Sequence, residues 1–336
     1  MPWFGRYQER LLSPRVIYWA LDQVFWQCSS LHACESYPAG WRLDTSSHHA
    51  VPFAFPDFDE RVDHKRFGVQ VQSDVHRSWR SMIYNYSSCR LSYPDLDKFP
   101  AMVAVADQFA RLFDDVYVAG LFRKQLPKAL LWEGAHTHPQ DDRPTSEVYR
   151  CPSWSWAKLD TAALLRDVAF DYLGVNLHKG LVDVLDVDIE LHDPRNAFGR
   201  LKCARLVLHG WVTPFRWRIP RAVEATQESH PLEAFGNDEP FVFTDVLGRD
   251  VYTQGIKFDF TTHAYEAQDN AFFIPIEFNL ARDQVEGIIL RKIETDGQLK
   301  YERVGFTALS LGLGNSGASE VVKRFEKLKK DDIILI

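Results

Sequence analysis

Cysteine is scarce in this chain, and its five residues follow none of the spacings that dedicated cysteine chemistry requires. They lie at Cys28, Cys34, Cys89, Cys151 and Cys203, an odd number at wide intervals and without a C-x-x-C pair. Because a disulfide framework uses an even set of cysteines, this pattern argues against a small secreted fold held by disulfides. It predicts thiols that stay reduced in the cytosol.

A long apolar run and a basic surplus are also missing. No segment approaches the roughly 18 consecutive apolar residues of a membrane span, and residues 1–15 lack the apolar core of a secretory signal. The net charge is −7, which argues against a nucleic-acid duplex as the partner. The basic run at residues 323–330 has helical spacing and is predicted to be a solvated helix face. We therefore expect a cytoplasmic protein.

The sequence holds no G-x-S-x-G, P-loop or H-E-x-x-H signature. One glycine pattern, "LGLGNSG" at residues 311–317, matches G-x-G-x-x-G between a predicted strand and a predicted helix. A dinucleotide site needs a complete βαβαβ unit and an acidic residue after its second strand, and the sequence that follows offers neither. We predict a glycine-rich turn here, and we expect no cofactor and no catalytic residue.

Three acidic residues could hold a calcium ion or act in acid–base chemistry. Asp186, Asp188 and Glu190 alternate with apolar residues on one predicted strand, which places successive acids about 7 Å apart on one face. The same alternation is typical of a strand with one solvated face, and we favour that interpretation.

A second group has the residue types of a transition-metal site. In "HTHPQDD", His136 and His138 stand beside Asp141 and Asp142, and Cys151 follows. No third ligand occurs at a recognisable spacing, and the composition is typical of a polar surface loop. We therefore expect no bound metal.

The N-terminal third predicts a hairpin, a long connection and two helices. Residues 16–28 are rich in β-branched and aromatic side chains on either side of Leu21-Asp22, which predicts a hairpin. Residues 35–68 show no period and are predicted to be a surface connection. Residues 73–90 and 95–115 carry apolar residues at helical spacing. The stripes consist of Val75, Trp79, Met82, Ile83 and Tyr86, and of Met102, Val105, Ala106, Phe109 and Phe113. Pro100 suits the first turn of the second helix, which Asp95 or Asp97 could cap.

After about residue 180 the pattern becomes one of alternating strands separated by turns, followed by one helix and the strand "DDIILI". The fold class predicted is α+β, with a helical N-terminal segment followed by a mainly antiparallel β-rich body.

The stretch "YRCPSWSWAKLD" places Trp154 and Trp156 two residues apart. In an extended segment both indoles point to one side, with small residues on the other. This arrangement suits packing beneath another element, and it also suits a platform on which a ligand stacks. Because tryptophan is highly buried on average, we favour the core interpretation.

Five segments stand out: "YQERLLSPRVIYWALDQVFWQC" (7–28), "WRSMIYNYSSCRLSYPDLDKFPAMVAVADQF" (79–109), "YVAGLFRKQLPKALLW" (117–132), "YRCPSWSWAKLD" (149–160) and "KKDDIILI" (329–336). Together they resemble one fungal family, the proteins that carry a heterokaryon-incompatibility (HET) domain. Their order and approximate spacing follow the family. The motif residues so identified are Gln8, Glu9, Arg10, Leu11, Leu12, Ser13, Pro14, Arg15, Trp26, Cys28, Tyr86, Ser87, Arg90, Asp97, Lys98, Pro100, Gly120, Leu121, Trp132, Pro152, Ser153, Trp154, Ser155 and Trp156.

The resemblance implies three regions. Residues 1–16 resemble the end of a HET domain, residues 17–125 hold the hairpin, the connection and the helices, and residues 126–336 form a β-rich downstream domain. The chain departs from the family in lacking the HET domain's earlier motifs, and Gly5 stands where a tryptophan is expected. Cys151 and Lys158 replace the family's usual alanine and serine.

The resemblance implies a role in fungal non-self recognition and programmed cell death. HET domains are similar to TIR domains, some of which hydrolyse NAD with a glutamate. Glu9 is the only acid in the matching motif, and nothing in the sequence assigns it that catalytic role. We expect a non-catalytic scaffold or regulatory region that contacts another incompatibility protein or a second copy of itself. An apolar patch should be exposed beside the HET remnant. The alternatives are a NAD-hydrolysing effector of which this chain is a part, and a small-ligand binder that uses Trp154 and Trp156.

Overall fold

The computed structural model describes residues 13, 15–28, 31–40, 68–89, 91–135, 148–166, 178–216, 241–244, 250–260, 263, 270–280, 282–295, 297–310, 322–323 and 325–336. Everything below concerns these residues. Strand residues outnumber helical residues in them, and the sheets are mainly antiparallel. The α+β prediction is confirmed in this coarse form.

The N-terminal part is a small three-stranded sheet of β1 (Arg15–Trp19), β2 (Val24–Cys28) and β3 (His32–Cys34), in that order. β1 and β2 pair antiparallel across Leu21-Asp22, so the predicted hairpin is confirmed. The prediction of a helical N-terminal segment is not supported: among the described residues the three strands come first, and the helices follow between residues 68 and 113. The β-branched and aromatic residues of β1 and β2 favour strands here.

Three helices follow: α1 (Gly68–Ser87), the short α2 (Pro94–Asp97) and α3 (Val103–Phe113). The predicted stripe of α1 is confirmed, since its five residues from Val75 to Tyr86 are all buried. The second predicted helix is interrupted. Pro100 begins a 3-10 turn before α3, and neither Asp95 nor Asp97 caps a helix, because both lie inside α2.

Short elements connect the helices to the large sheet. β4 (Tyr117–Val118) pairs with β5 (Leu121–Phe122), and β6 (Glu133–Ala135) pairs with β7 (Ala162–Leu164). Three 3-10 turns lie among them, at Arg123–Gln125, Lys128–Leu130 and Trp156–Lys158.

The β-rich body contains a ten-stranded sheet. Its strands are β8 (His178–Gly180), β9 (Asp183–Leu191), β10 (Leu201–Gly210), β11 (Thr213–Pro214), β12 (Phe241–Thr244), β13 (Asp250–Phe258), β14 (Ala271–Asn279), β15 (Gln284–Thr295), β16 (Gln298–Ser310) and β17 (Asp331–Leu335). The main path runs β11-β14-β15-β16-β17-β10-β9. All pairings are antiparallel except β16 with β17, which are parallel at Tyr301 and Leu335.

The large sheet separates two apolar cores. One face packs against α1, α3 and the tryptophans at 132, 154 and 156. The other face packs against Trp211, which follows β10, and against Val322 and Phe325 near residue 330. No described residue of the N-terminal sheet belongs to either core.

Three predicted features lie outside the described residues: the "LGLGNSG" turn, the "HTHPQDD" loop and, from residue 41 to residue 67, the surface connection. The solvated strand face is described and confirmed. Asp186, Asp188 and Glu190 are all exposed on β9, and the apolar residues between them are half-buried.

Candidate functional site

Trp154 and Trp156 lie in the interior, and the exposed fraction of each side chain is 0%. The indole Nε1 of Trp156 donates a hydrogen bond to the carbonyl of Gly120 at 2.6 Å. The Nε1 of Trp132 donates to the carbonyl of Trp154 at 3.0 Å. Neither the indole of Trp154 nor that of Trp156 is accessible to a ligand, and this burial agrees with the core interpretation. We call Gly120, Trp132, Ser153, Trp154 and Trp156 the tryptophan hub.

The segment of the two tryptophans is a turn and not a strand, so the extended geometry assumed from the sequence is wrong. Ser155 ends the turn, and its Oγ accepts a hydrogen bond from the main-chain nitrogen of Ala157 at 3.2 Å. This cap starts the 3-10 turn that carries Trp156. Serine favours such positions because its hydroxyl satisfies a main-chain N–H that the turn leaves unpaired.

Gly120 is required by both its conformation and its neighbour. Its φ is +92°, a value that side chains other than glycine rarely adopt. A Cβ placed there would lie 2.9 Å from Trp156 Nε1 and 3.1 Å from Ser155 Oγ. Two motifs that are 36 residues apart in sequence therefore meet at one hydrogen bond.

Tyr86 and Lys98 extend the hub toward the helices. The Tyr86 hydroxyl donates to the carbonyl of Lys98 at 2.8 Å, and its ring meets Trp156 edge-on, with centroids 6.3 Å apart. The Lys98 side chain is buried, and its Nζ donates to the carbonyl of Leu159 at 2.9 Å. The same ammonium lies 5.9 Å from the Tyr86 ring centroid and 5.8 Å from that of Trp156. Both are within the range of cation–π attraction.

Ser87 ties α1 to β7. Its hydroxyl donates to the carbonyl of Ile83 at 2.6 Å and accepts from the main-chain nitrogen of Ala163 at 2.7 Å. Arg150 joins two acids, with its guanidinium 2.6 Å from Asp95 and 2.7 Å from Asp160. These contacts hold residues 150–163 against the helices.

Burial lowers the pKa of Lys98 to about 8, and the nearby Asp160 opposes that change. Burial also raises the pKa of the Cys151 thiol to about 11. The lysine is therefore a strained charge in the interior, because water solvates an ammonium better than one carbonyl and two aromatic rings do.

Stability should rise with pH between 8 and 9, and Lys98→Met should flatten that rise. Below pH 8 the folded and unfolded chains both carry the proton, and the folded chain bears the full cost of burying it. Above its folded pKa of about 8 the folded chain releases the proton, while the unfolded chain keeps it up to its ordinary pKa of 10.5. The free energy of unfolding therefore increases through this window.

Urea unfolding of both proteins at several pH values measures this slope. Cys151 acts in the opposite direction above its ordinary pKa of 9, so the measurement stops there. Lys124→Met, at an exposed lysine, is the matched control and should keep the wild-type slope. An unchanged slope in Lys98→Met would contradict the assignment.

On the opposite side of the hub, Ser153 connects the motif to the large sheet. Its main-chain nitrogen donates to the main-chain oxygen of Ile336 at 2.9 Å, and its Oγ donates to the same oxygen. The Oγ also accepts from the main-chain nitrogen of Arg303 at 2.9 Å. The Arg303 guanidinium is fully buried, pairs with Asp259 and donates to the carbonyl of Trp132. It also lies 3.4 Å above the centroid of the Trp132 ring.

The sequence reasoning missed Arg303. On β16 the inward-facing Tyr301 sets a period of two that also places residue 303 inside. A charged residue at an inward position is a signal of a buried ion pair, because an unpaired charge costs several kcal/mol there.

A second charged cluster was also missed. Glu277 and Glu286 oppose each other on β14 and β15, and both are buried. Glu277 lies 3.0 Å from His178 Nδ1 and 3.2 Å from Lys128 Nζ, and Arg166 lies 3.9 Å from Glu286. These pairs hold the connecting segments against the sheet. Among the described residues, no group of three or more His, Cys, Asp or Glu side chains is placed to hold a metal ion.

The structure brings ten motif residues into or beside the hub and leaves others elsewhere. Those at the hub are Tyr86, Ser87, Lys98, Gly120, Leu121, Trp132, Ser153, Trp154, Ser155 and Trp156, with Pro152 preceding them. Asp97 is exposed at the end of α2, Pro100 is exposed at the start of the 3-10 turn, and Arg15, Trp26 and Cys28 belong to the N-terminal sheet. Gln8, Glu9, Arg10, Leu11, Leu12, Pro14 and Arg90 lie outside the described residues.

The N-terminal sheet exposes large apolar side chains. Ile17, Trp19 and Leu21 are 52%, 78% and 100% exposed. Ile17 pairs with Trp26, and Trp19 pairs with Val24, so these four side chains share one face of the sheet. We call this surface the N-terminal apolar face.

No protein-family model, no curated protein and no solved structure matches this chain. The HET resemblance therefore rests on the motifs alone. No helix among the described residues is long and apolar enough to cross a membrane.

Proposed function

We propose that this chain is a non-catalytic scaffold or regulatory region of a fungal HET-type protein, which acts in non-self recognition and programmed cell death through protein–protein contacts. The observation that carries the proposal is the N-terminal apolar face, where Trp19 and Ile17 are exposed and directly follow in sequence the residues that resemble the end of a HET domain. Exposed apolar side chains that cluster on one face are typical of a protein-contact surface.

The hub supports a framework role for the remaining motif residues. Gly120, Trp132 and Trp156 each take part in a hydrogen bond between a side chain and a distant main-chain carbonyl, and all contacts are buried. Such residues fix the relative positions of segments. A reacting group needs access to substrate, which a fully buried indole does not have.

The partner that fits the N-terminal apolar face is a HET domain, held either in the same polypeptide or on another incompatibility protein. A tryptophan that is largely exposed in the isolated chain buries a large area when a partner covers it, and tryptophan is enriched among the residues that dominate binding energy. Trp19 is therefore the expected anchor of this contact.

Co-expression of this chain with a HET domain in fungal cells tests the function. We expect the two to co-purify and the chain to change the rate of cell death. Trp19→Ser should weaken co-purification by about tenfold or more, because the exposed anchor is lost. Leu280→Ser is the matched control, since it removes one exposed apolar residue from the turn after β14 and should bind like wild type.

Either of two results would overturn the proposal. One is a chain that neither binds the HET domain nor changes cell death. The other is NAD hydrolysis by the purified chain, which would favour the effector alternative. A change of tryptophan fluorescence with a small ligand, abolished by Trp156→Ala in a folded protein, would favour the binder.

A further inference from the structure

Strand β1 is an edge of the N-terminal sheet, and no strand among the described residues pairs with its outer side. An open edge presents unpaired main-chain N–H and C=O groups, to which another strand can bond. Natural edges are often protected by proline, lysine or a bulge. β1 has the sequence RVIYW, which contains no proline, lysine or bulge, and its one charged residue, Arg15, stands at the start of the strand.

The register shows which groups face outward. Ala20 N donates to Gln23 O at 3.1 Å, which makes this pair the hydrogen-bonded closure of the hairpin. Because hydrogen-bonded and non-hydrogen-bonded pairs alternate in an antiparallel ladder, Tyr18 and Val16 bond to β2. The main-chain groups of Arg15, Ile17 and Trp19 then point away from β2, toward the open edge.

The pairing of β2 with β3 supports the same assignment. Cys28 N donates to Leu31 O at 2.9 Å and Glu35 N donates to Val24 O at 3.3 Å. Val24, Trp26 and Cys28 are therefore the residues of β2 that bond toward β3. They are the register partners of Trp19, Ile17 and Arg15, so β1 receives no bond from them.

We propose that two copies of this chain pair antiparallel through the outer edges of β1, with Ile17 on the two-fold axis. In this register Ile17 lies opposite Ile17 of the partner subunit, and Arg15 lies opposite Trp19 of the partner subunit. All three outward-facing residues then form hydrogen-bonded pairs, each of which exchanges two bonds. The pairing is isologous and closes on itself, as a stable dimer requires.

The side chains are complementary in the same register. Arg15, Ile17 and Trp19 share one face, so the guanidinium of Arg15 reaches the indole of Trp19 of the partner subunit at both ends of the ladder. A cation over a tryptophan face is attracted by the ring quadrupole. The isoleucines meet between these two contacts. A strand with the order cation, aliphatic, aromatic is thus complementary to its own reverse.

Pairing would join two three-stranded sheets into one continuous sheet and place two N-terminal apolar faces side by side. A second copy of the chain is thus one partner for the protein–protein contacts proposed above. The biological purpose of the pairing rests on the proposed scaffold function. Two linked faces raise the apparent affinity for an assembled partner without any new contact. The pairing itself is measured on the isolated chain, so its failure would leave the scaffold function standing.

Sedimentation velocity across a dilution series of the full chain tests the pairing. We expect a concentration-dependent species of twice 38.8 kDa. Ile17→Pro removes an outward N–H without removing a bond to β2, and it should raise the dissociation constant by about tenfold or more. Tyr18→Pro is the contrasting variant, because its N–H faces β2 and its loss should unfold the hairpin. Arg15→Glu leaves the backbone intact and should also weaken pairing, since an acid replaces the cation beside Trp19.

The register is tested by a cysteine on the two-fold axis. In a Cys203→Ser background, Ile17→Cys should form a covalent dimer under mild oxidation, because opposed residues of a hydrogen-bonded pair lie within disulfide range. Leu21→Cys, fully exposed but off the axis, should form no covalent dimer under the same oxidation. A chain that remains monomeric at all concentrations, or a dimer unaffected by Ile17→Pro and Arg15→Glu, would overturn the proposal.

Discussion

Trp156→Ala should lower the free energy of unfolding by about 3–5 kcal/mol, the range of large aromatic truncations in protein cores. The side chain is fully buried among Tyr86, Gly120 and Lys98, and its Nε1 bonds to the carbonyl of Gly120. Truncation removes this packing, leaves a cavity and leaves the buried carbonyl of Gly120 without its hydrogen bond from Trp156. Each loss acts in the same direction.

Urea unfolding followed by circular dichroism measures this effect. Trp156→Phe keeps an aromatic ring but removes the hydrogen bond, so it should lose less than Trp156→Ala. Trp19→Ala makes the same change at an exposed position, and in dilute monomeric protein it should fall within about 0.5 kcal/mol of wild type. A loss below about 1 kcal/mol in Trp156→Ala would contradict the structural role of the hub.

Arg303→Met should also lower the free energy of unfolding by about 3–5 kcal/mol, because it leaves the buried Asp259 without its cation. Arg303 and Asp259 are both almost completely buried and bonded to each other. The guanidinium also covers the Trp132 ring and bonds to the Trp132 carbonyl. Removal of one partner leaves a charge in a place that water does not reach.

A double-mutant cycle separates the pair from its surroundings. Asp259→Leu combined with Arg303→Met removes both charges and keeps most of the volume, so the double variant should recover much of the loss. The Trp132 carbonyl remains unpaired in both backgrounds and cancels in the cycle. If the losses of the two single variants simply added in the double variant, the two residues would not be coupled, and the ion pair would be contradicted.

The elements that local pattern determines could be predicted from the sequence. The α1 stripe, the first hairpin and the solvated face of β9 each follow from a period that neighbouring residues carry. The interruption before α3 could not be predicted from the stripe alone. Pro100 and the residues before it form separate turns, although the apolar spacing continues through them.

The contacts of the hub could not be predicted, because they join residues that are distant in sequence. The motifs identified Gly120, Lys98 and Trp156, but the hydrogen bonds among their segments depend on how the fold brings those segments together. Glu277 and Arg303 show the same limit. Each is a charged residue within an apolar strand, which indicates that a partner exists without naming His178 or Asp259.

The position of β17 has a consequence for the order in which the chain folds during synthesis. Among the described strands, β17 is the one that joins β9 and β10 to the rest of the large sheet, and every other strand of the sheet precedes it. A ribosome that has released residues up to 330 has made all those strands, yet the sheet remains in two pieces with open edges.

The hydrogen bond from Ser153 to Ile336 likewise forms only after Ile336 has emerged from the ribosome. Strands β9 to β16 therefore keep exposed edges until residues 331–336 emerge, and such late pairing of distant segments slows folding and favours aggregation.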